Sequence, residues 1–268
     1  MKKIGFIGVG NMGGALAARV IHDFSEETQI LVSSRTLEKA TSFAEEWEVT
    51  ALSNRALAAT AEIIFLGVKP QKMQGLFEEI APVLQQRQDR FVLVSMAAGL
   101  TAEQIGQMAG CPCPVLRIMP NTPCRYGKGV IPYCGNAAAT EEDFQNLEAL
   151  LASCGWVFPL EEGLMDAAGA VSGCGPAFAY LFIEALADGG VACGLPRATA
   201  QKLAAQMLSG AAETALKSNM HPGQLKDEVC SPGGSTIAGV RALEEGGFRA
   251  AAQNAVLAAW KRSRELGK

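Results

Sequence analysis

The stretch that decides the fold is Ile4-Gly5-Phe6-Ile7-Gly8-Val9-Gly10-Asn11-Met12-Gly13. Its glycines at 8, 10 and 13 have G-x-G-x-x-G spacing, after an apolar run and before the helical pattern 12–21. Gly8 permits a tight turn, Gly10 lets the backbone approach a pyrophosphate, and Gly13 allows close packing of helix on strand. The helix N-terminus leaves N–H groups free for an anion. We predict a dinucleotide site formed by Ile7, Gly8, Val9, Gly10, Asn11, Met12 and Gly13.

The end of the second predicted strand indicates which dinucleotide is bound. An NAD site usually places Asp or Glu there, about 20 residues beyond the glycine turn, to bind the ribose 2′-hydroxyl. This chain reads Val32-Ser33-Ser34-Arg35, where two hydroxyls can donate to a 2′-phosphate and Arg35 can pair with its charge. We therefore predict NADP(H), with NAD(H) as the alternative coenzyme. An ordinary solvated arginine at position 35 is the competing interpretation.

Up to about residue 160, short β-rich runs alternate with helical patterns. The predicted strands are residues 3–9, 29–33, 62–68, 91–95, 115–119, 129–133 and 156–160. The early runs are apolar throughout, as in strands covered by helices on both faces, and the later runs extend the sheet at one edge. This alternation predicts an α/β fold with an N-terminal doubly wound, Rossmann-type sheet.

Beyond residue 160 the strand patterns stop. The predicted helices are residues 165–191, 197–218, 222–229, 235–245 and 248–266, separated by Gly-Leu-Pro, His-Pro-Gly and Ser-Pro-Gly-Gly breakers. We predict two domains, a dinucleotide-binding domain at 1–160 and an all-α helical domain at 161–268.

The run 167–183 carries no charged residue. A membrane-spanning helix needs roughly 20 apolar residues and favours flanking Lys or Arg. This run is shorter, contains Gly173, Gly175 and Pro176, and is bounded by Asp166 and Glu184. We predict no membrane partner, and a homodimer or larger assembly in which a second subunit covers this helix.

Composition excludes several classes of protein. Apolar residues make up 49% of the chain and charged residues 19%, which is too hydrophobic for a disordered protein. Lys and Arg number 23 against 27 Asp and Glu, a net charge of −4, and no basic run occurs. The electrostatic pattern of a nucleic-acid-binding protein is therefore absent from the sequence.

Cysteines and the N-terminus bear on metal binding and location. The chain has 8 Cys, no C-x-x-C motif and only 2 His, so we predict no metal site and free thiols in a reducing cytoplasm. Lys2, Lys3 and the apolar run 4–10 imitate a secretory signal. The glycines of that run are better explained by the phosphate-binding turn, so we predict a cytoplasmic protein.

Other strand ends should border the same crevice as the glycine turn. They read Gly67-Val68-Lys69-Pro70, Ser95-Met96-Ala97-Ala98-Gly99 and Met119-Pro120-Asn121-Thr122-Pro123. Their small residues leave room for ribose and nicotinamide. Each stretch fits an ordinary strand-to-helix turn equally well.

One long motif stands in the second half of the chain. It reads Asp227-Glu228-Val229-Cys230-Ser231-Pro232-Gly233-Gly234-Ser235-Thr236-Ile237-Ala238-Gly239-Val240 and is followed by Leu243-Glu244 and Gly246-Gly247-Phe248-Arg249. This motif resembles the pyrroline-5-carboxylate reductase family. Further matches to that family are Ser172-Gly173-Cys174-Gly175-Pro176-Ala177-Phe178, Ala187-Asp188-Gly189-Gly190, His221-Pro222-Gly223-Gln224-Leu225-Lys226, Val68-Lys69-Pro70, Met119-Pro120-Asn121 and the N-terminal turn. The resemblance covers nearly the whole chain.

The resemblance implies reduction of L-1-pyrroline-5-carboxylate to L-proline by NAD(P)H, the final step of proline biosynthesis. It implies substrate binding by Ser231, Gly233, Gly234, Ser235 and Thr236 in the helical domain. It also implies a set of coenzyme contacts. Ser33, Ser34 and Arg35 would lie at the adenosine phosphate and Asn54 at the adenine. Gly67, Val68, Lys69 and Pro70 would lie at the ribose and nicotinamide, Met96, Ala97 and Ala98 at the nicotinamide edge, and Glu162 near the coenzyme.

The residues themselves are compatible with that chemistry. Free N–H groups at the start of the helix after Pro232 can hold a carboxylate without arginine. Thr236 is the predicted catalytic residue, because its hydroxyl can reach the ring nitrogen that gains a lone pair during hydride transfer. Helix capping is the alternative role for Ser235 and Thr236. His221 is predicted to be a turn residue rather than a catalyst.

Two other functions remain to be separated from this one. A β-hydroxyacid dehydrogenase or imine reductase shares the glycine turn and a helical second domain. The hydroxyacid enzymes carry a catalytic lysine four residues after the second glycine of a G-x-G, whereas here Gly173-Cys174-Gly175 leads to Ala179. A dinucleotide-sensing protein without turnover is the other alternative, because fold alone does not establish catalysis.

Overall fold

The structure is a computed structural model that describes residues 1–266. Its contacts divide the chain into two compact units. One comprises Met1–Cys174 together with the described residues from Ala259 onward, and the other comprises Gly175–Ala258. The domain boundary expected near residue 160 stays a prediction.

The first unit is built on an 8-stranded sheet in the order β3-β2-β1-β4-β5-β6-β7-β8. Its strands are β1 (Lys2–Ile7), β2 (Thr28–Ser33), β3 (Thr50–Ala51), β4 (Ile63–Leu66), β5 (Val92–Ser95), β6 (Val115–Ile118), β7 (Gly129–Gly135) and β8 (Gly155–Pro159). Every neighbouring pair is parallel except β6 and β7. The predicted Rossmann-type sheet is therefore confirmed, including its extension at one edge by the last two strands.

Helices cover the sheet because its central strands are apolar on both faces. They are α1 (Asn11–Phe24), α2 (Leu37–Trp47), α3 (Asn54–Thr60), α4 (Met73–Leu84), α5 (Ala102–Ala109) and α6 (Glu141–Leu151). Two separate buried clusters result, one on each face. Phe6 and Phe65 stack at 4.6 Å within one of them, and Leu57 and Leu93 belong to the other. The edge strand β3 has two residues and was not predicted, since so short a run carries no period-2 pattern.

The rest of the chain is helical, as predicted. Its helices are α7 (Met165–Ala168), α8 (Gly175–Ala192), α9 (Arg197–Lys217), α10 (Pro222–Glu228), α11 (Ser235–Glu245) and α12 (Phe248–Leu266). The single helix expected over 165–191 contains a π-helical turn at Gly169–Gly173 between α7 and α8. Asn121 Nδ2 donates to the Ser172 carbonyl at 2.9 Å, which satisfies one carbonyl of that widened turn.

The helical unit leaves large apolar side chains uncovered. Tyr180 and Leu181 on α8 are 61% and 67% exposed, and Leu203 on α9 is 55% exposed. The stretch Glu162–Ala192 is long and apolar enough to cross a membrane by length and composition alone, and 11% of its most apolar window is buried. Large exposed apolar patches on soluble proteins usually mark surfaces that a partner covers.

Candidate active site

The glycine turn lies where β1 gives way to α1, beside the end of β4. Gly8 has φ +98°, a left-handed conformation that favours glycine, and its N–H donates to the Ser33 carbonyl at 2.8 Å. A Cβ on Gly8 would lie 2.7 Å from the Gly67 carbonyl oxygen. A Cβ on Gly10 would meet nothing within 4 Å, so this backbone borders open space. The tight turn predicted at Gly8 is present, and the approach of a pyrophosphate to Gly10 stays a prediction.

Helix α1 presents free N–H groups at the same turn. Gly10 is its N-cap and supplies no side-chain hydrogen bond. The first intrahelical bond runs from the Gly14 N–H to the Gly10 carbonyl at 2.7 Å. The preceding N–H groups, of Asn11, Met12 and Gly13, therefore have no intrahelical acceptor and suit a pyrophosphate.

A cleft of about 590 Å³ runs from this turn across the ends of β2 and β4. Its lining residues are Ile7, Gly8, Gly10, Ser34, Arg35, Thr36, Lys39, Asn54, Gly67, Val68, Lys69, Lys72, Gly75, Leu76 and Glu79. Four of them carry a positive charge and one, Glu79, a negative charge. The cationic lining suits a ligand with several phosphates.

Residues at the adenosine end of the cleft agree with the sequence prediction in part. Ser34 and Arg35 line the cleft, and Arg35 is exposed. Asn54 Nδ2 donates to Glu79 Oε2 at 2.8 Å, while Asn54 Oδ1 is buried without a hydrogen-bond partner among residues 1–266. An acceptor is thus unpaired beside the cleft. Ser33 is fully buried at the end of β2, so its side chain does not line the cleft.

Other predicted coenzyme residues lie outside the cleft lining. Val9 and Asn11 line a neighbouring cavity of about 530 Å³ that also includes Gly10 and Lys39. The remaining members of this group are Met12, Gly13 and Pro70, together with Met96, Ala97 and Ala98 in the loop after β5. Their assignment to the coenzyme stays a prediction.

Sequence reasoning missed the cleft residues that belong to helices. Lys39 is in the first turn of α2, Lys72 directly precedes α4, and Glu79 is two turns into α4. The strand-end rule points only to the loops that follow strands. A helical projection of α4 from Met73 onward would have shown that Leu76 and Glu79 share one face.

The predicted substrate turn opens α11 in the helical unit. Gly233 has φ +67°, and the Gly234 N–H donates to the Ser231 carbonyl at 3.0 Å. Gly234 is the N-cap of α11, and within residues 1–266 no side chain forms a capping hydrogen bond to this helix. The capping role considered for Ser235 and Thr236 is therefore wrong, because glycine occupies the cap and both residues lie inside the helix.

The start of α11 is equipped to bind an anion. The first helical bond runs from the Ala238 N–H to the Gly234 carbonyl at 3.4 Å. The N–H groups of Ser235, Thr236 and Ile237 precede it and have no intrahelical acceptor. Ser235 and Thr236 are exposed in the single chain.

His221 is a helix cap, in agreement with its predicted turn role. Its Nδ1 accepts from the Gly223 N–H at 3.0 Å, and the Gln224 side chain accepts from the His221 N–H at 3.2 Å. These bonds form a capping box at the start of α10. The ring is thus used for local structure.

Comparison with known proteins identifies the family. Residues 162–266 match the family model described as pyrroline-5-carboxylate reductase dimerisation, and residues 3–99 match the model described as NADP oxidoreductase, coenzyme F420-dependent. The pyrroline-5-carboxylate reductase of Pisum sativum is 41% identical over 264 residues, which cover 98% of this chain and 95% of that protein. The chain belongs to the pyrroline-5-carboxylate reductase family.

Bacterial and structural relatives in the pyrroline-5-carboxylate reductase family span the same length. The Escherichia coli (strain K12) enzyme is 39% identical over 269 residues, covering 100% of this chain and 99% of that protein. The crystal structure of Plasmodium falciparum pyrroline carboxylate reductase with NADP bound is 34% identical, covers 100% of this chain and 98% of that one, and superimposes with a TM-score of 0.88. The family fold therefore extends over both units of the chain.

Proposed function

We propose that this chain reduces L-1-pyrroline-5-carboxylate to L-proline with NADPH, the final step of proline biosynthesis. The observation that carries the proposal is a pair of helix N-termini with free N–H groups. One is at the glycine turn that begins α1, and the other is at Gly233–Thr236, where α11 begins. The first suits the pyrophosphate of a dinucleotide and the second suits a small carboxylate. Membership of the family supports this assignment of the two sites.

The substrate carboxylate is held by the backbone at the start of α11. The free N–H groups of Ser235, Thr236 and Ile237 donate to its oxygens, and the positive end of the helix dipole adds to the attraction. Gly233 and Gly234 have no side chain to prevent close approach, and Ser231 borders the same turn. This arrangement orients the ring without a cationic side chain.

Thr236 carries the proton chemistry at the ring nitrogen. When bound, NADPH supplies a hydride to the imine carbon of the ring. The electron pair of the C=N bond then moves to nitrogen, so the protonated imine becomes a neutral secondary amine that takes one further proton from water. The Thr236 hydroxyl accepts a hydrogen bond from the N–H before transfer, and can donate to the new lone pair afterwards.

Arg35 and Ser34 select the coenzyme. Both line the cleft at the end of β2, with Lys39 one helical turn further on. The guanidinium and the hydroxyl can bind a 2′-phosphate, and that strand end carries no carboxylate to repel it. NADP(H) is therefore the expected coenzyme, and NAD(H) is expected to bind more weakly.

The working enzyme is a homodimer or a larger assembly of dimers, formed through the helical domain. The exposed apolar side chains of α8 and α9 are the supporting observation, and the match of residues 162–266 to a dimerisation model agrees with it. We assign residues 1–160 to dinucleotide binding and 161–268 to substrate binding and dimerisation, in a soluble cytoplasmic protein. A solution mass equal to that of one chain, with full activity, would contradict this assembly.

The test of the function is a comparison of substrates under one assay. Loss of NADPH absorbance is followed with L-1-pyrroline-5-carboxylate and without substrate, and NADP reduction is followed with 2-hydroxy acids. We expect turnover with the cyclic imine alone. Turnover with hydroxy acids would indicate a β-hydroxyacid dehydrogenase, and coenzyme binding without any turnover would indicate a dinucleotide-sensing protein.

A further inference from the structure

A buried arginine stands beside the strand end that carries the predicted nicotinamide loop. Arg117 on β6 is 3% exposed and is the cross-strand neighbour of Ser95, the last residue of β5. Its Nη2 donates to Asp166 Oδ1 at 2.9 Å, and its Nη1 lies 3.6 Å from Glu162 Oε1. A charge so deeply buried is tolerated only when it is paired.

The two carboxylates are the counter-charges of this arginine. Cys134 is a titratable group on the neighbouring strand β7 and the register partner of Arg117. Burial raises the pKa of the Cys134 thiol to about 11, so it is neutral and cannot replace a carboxylate. Within residues 1–266, Arg117 Nε has no hydrogen-bond partner. The position of the guanidinium therefore depends on Glu162 and Asp166.

Glu162 has a second contact that reaches the start of α5. Its Oε1 accepts a hydrogen bond from the Ala102 N–H at 2.7 Å, at the first residue of that helix. Thr101, the preceding N-cap, forms a capping box with Gln104. A single carboxylate oxygen thus joins β6, through Arg117, to the N-terminus of α5.

The loop 96–101 connects the end of β5 at Ser95 to the start of α5 at Ala102. Its first end is held by the Met96 N–H, 3.5 Å from the Leu66 carbonyl, and by the Ala97 N–H, 3.3 Å from Ser95 Oγ. Its second end is held by the Glu162 contact with Ala102. Loops at the carboxyl ends of neighbouring parallel strands border the ligand crevice of this type of sheet.

We propose that Glu162, held in place by Arg117, is a positioning residue that sets the loop 96–101 against the nicotinamide half of the coenzyme. This inference rests on the proposed function. The family resemblance implies only that Glu162 lies near the coenzyme, and the role assigned here is indirect, since its Oε1 is engaged by the Ala102 N–H and lies beside Arg117. The adenosine half of the coenzyme, bound near Arg35 and Asn54, is independent of Glu162.

The test compares two ligands that share the adenosine half. Dissociation constants of NADP⁺ and of 2′,5′-ADP, which lacks nicotinamide, are measured by titration calorimetry for the parent protein and for Glu162→Ala, Glu162→Gln and Glu161→Ala. For Glu162→Ala we expect NADP⁺ to bind about tenfold more weakly, the size of one lost charge-assisted hydrogen bond, with 2′,5′-ADP unchanged. Glu162→Gln keeps an acceptor for the Ala102 N–H and should bind NADP⁺ more tightly than Glu162→Ala.

Glu161→Ala is the matched control, because Glu161 is the exposed neighbour and only its backbone carbonyl is used, by the Leu164 N–H. Unchanged NADP⁺ affinity in Glu162→Ala, or equal weakening of both ligands, would overturn the inference. If Glu162→Ala fails to fold, the same measurements are made on Arg117→Lys, since lysine keeps the positive charge but has no pair of guanidinium nitrogens to reach both carboxylates. Turnover of the parent protein is assayed separately. If the parent protein does not reduce the imine while Glu162→Ala still weakens NADP⁺ binding selectively, the proposed function is contradicted and the role of Glu162 is not.

Discussion

Gly13 lies so close to Gly8 that a Cβ at position 13 would stand 2.0 Å from the Gly8 carbonyl oxygen. The same oxygen would lie 2.4 Å from a Cβ on Gly67. Helix α1, the glycine turn and the end of β4 are therefore packed against one another through backbone atoms alone. This contact fixes where the free N–H groups of α1 point, and hence where a pyrophosphate can bind.

Two glycine substitutions separate packing from ligand approach. Gly13→Ala should lower the melting temperature and abolish NADPH binding, because backbone atoms must move to admit the methyl group. Gly10→Ala should leave the melting temperature of the free protein unchanged, because its Cβ enters open space, yet weaken NADPH binding by obstructing the pyrophosphate. Thermal unfolding with and without NADPH measures both effects. Parental NADPH affinity in Gly10→Ala would show that the pyrophosphate does not approach this turn.

Arg35 should determine the preference between coenzymes. Arg35→Ala is expected to reduce kcat/KM with NADPH by about tenfold or more and to leave NADH nearly unaffected, because only NADPH has a 2′-phosphate to pair with the guanidinium. Arg55→Ala is the control, since Arg55 is also exposed but does not line the cleft. An unchanged ratio of kcat/KM for the two coenzymes would make Arg35 an ordinary surface residue.

Thr236 should be needed for turnover and not for coenzyme binding. Thr236→Val keeps the volume and branching but removes the hydroxyl, so kcat/KM for the imine should fall by on the order of 10- to 1000-fold. NADPH affinity and the melting temperature should stay at parental values, because Gly234 rather than a side chain caps α11. Ser235→Ala is the matched control and should retain activity. Near-parental turnover in Thr236→Val would remove the hydroxyl from the mechanism.

Stability at acid pH should depend on Asp143. Its carboxylate is 3% exposed and accepts two hydrogen bonds from Arg90, each 2.6 Å long. Burial alone raises the pKa of Asp143, but the bonds from Arg90 and Thr140 outweigh it and hold the pKa below its ordinary value. The unfolded chain thus takes up this proton first as the pH falls, so the stabilisation is complete above about pH 4 and is lost below it.

Asp143→Asn should therefore lower the free energy of unfolding by about 2 kcal/mol at neutral pH, a value limited by the half-exposed Arg90. It should also flatten the decline of stability between neutral and acid pH. Urea unfolding at several pH values measures both. Glu142→Gln, at the exposed neighbouring position, should keep the parental slope, and an equal slope in Asp143→Asn would contradict the assignment.

The sheet and the helical half could be predicted because their signals are local and strong. The apolar runs of β1, β4 and β5 and the breakers at Pro222 and Pro232 fix element type without tertiary information. The two-residue strand β3 and the π-helical turn could not be predicted. Strand β3 forms by pairing with β2, and the π-helical turn is contacted by Asn121, which is distant from it in sequence.

The candidate site shows the same division. The glycine turn follows from a motif whose geometry is encoded within a few residues, and Ser34 and Arg35 follow from the rule that the end of the second strand borders the adenosine ribose. Lys39, Lys72 and Glu79 lie in or beside α2 and α4, outside the strand-end loops that the sequence rule describes, and the contact between Arg117 and Glu162 joins residues far apart in the chain. Ser33 is fully buried at the end of β2, whose last four residues are all buried because helices cover both faces of the sheet, and its role at the coenzyme stays a prediction.

Transfer of deuterium from coenzyme to product tests the central claim most directly. The protein is incubated with L-1-pyrroline-5-carboxylate and NADPH that carries deuterium at both C4 positions of the dihydronicotinamide, and the product is examined by mass spectrometry and NMR. The account predicts L-proline with one deuterium, on the ring carbon that belonged to the imine. Proline without deuterium, deuterium at another carbon, or no proline at all would contradict it.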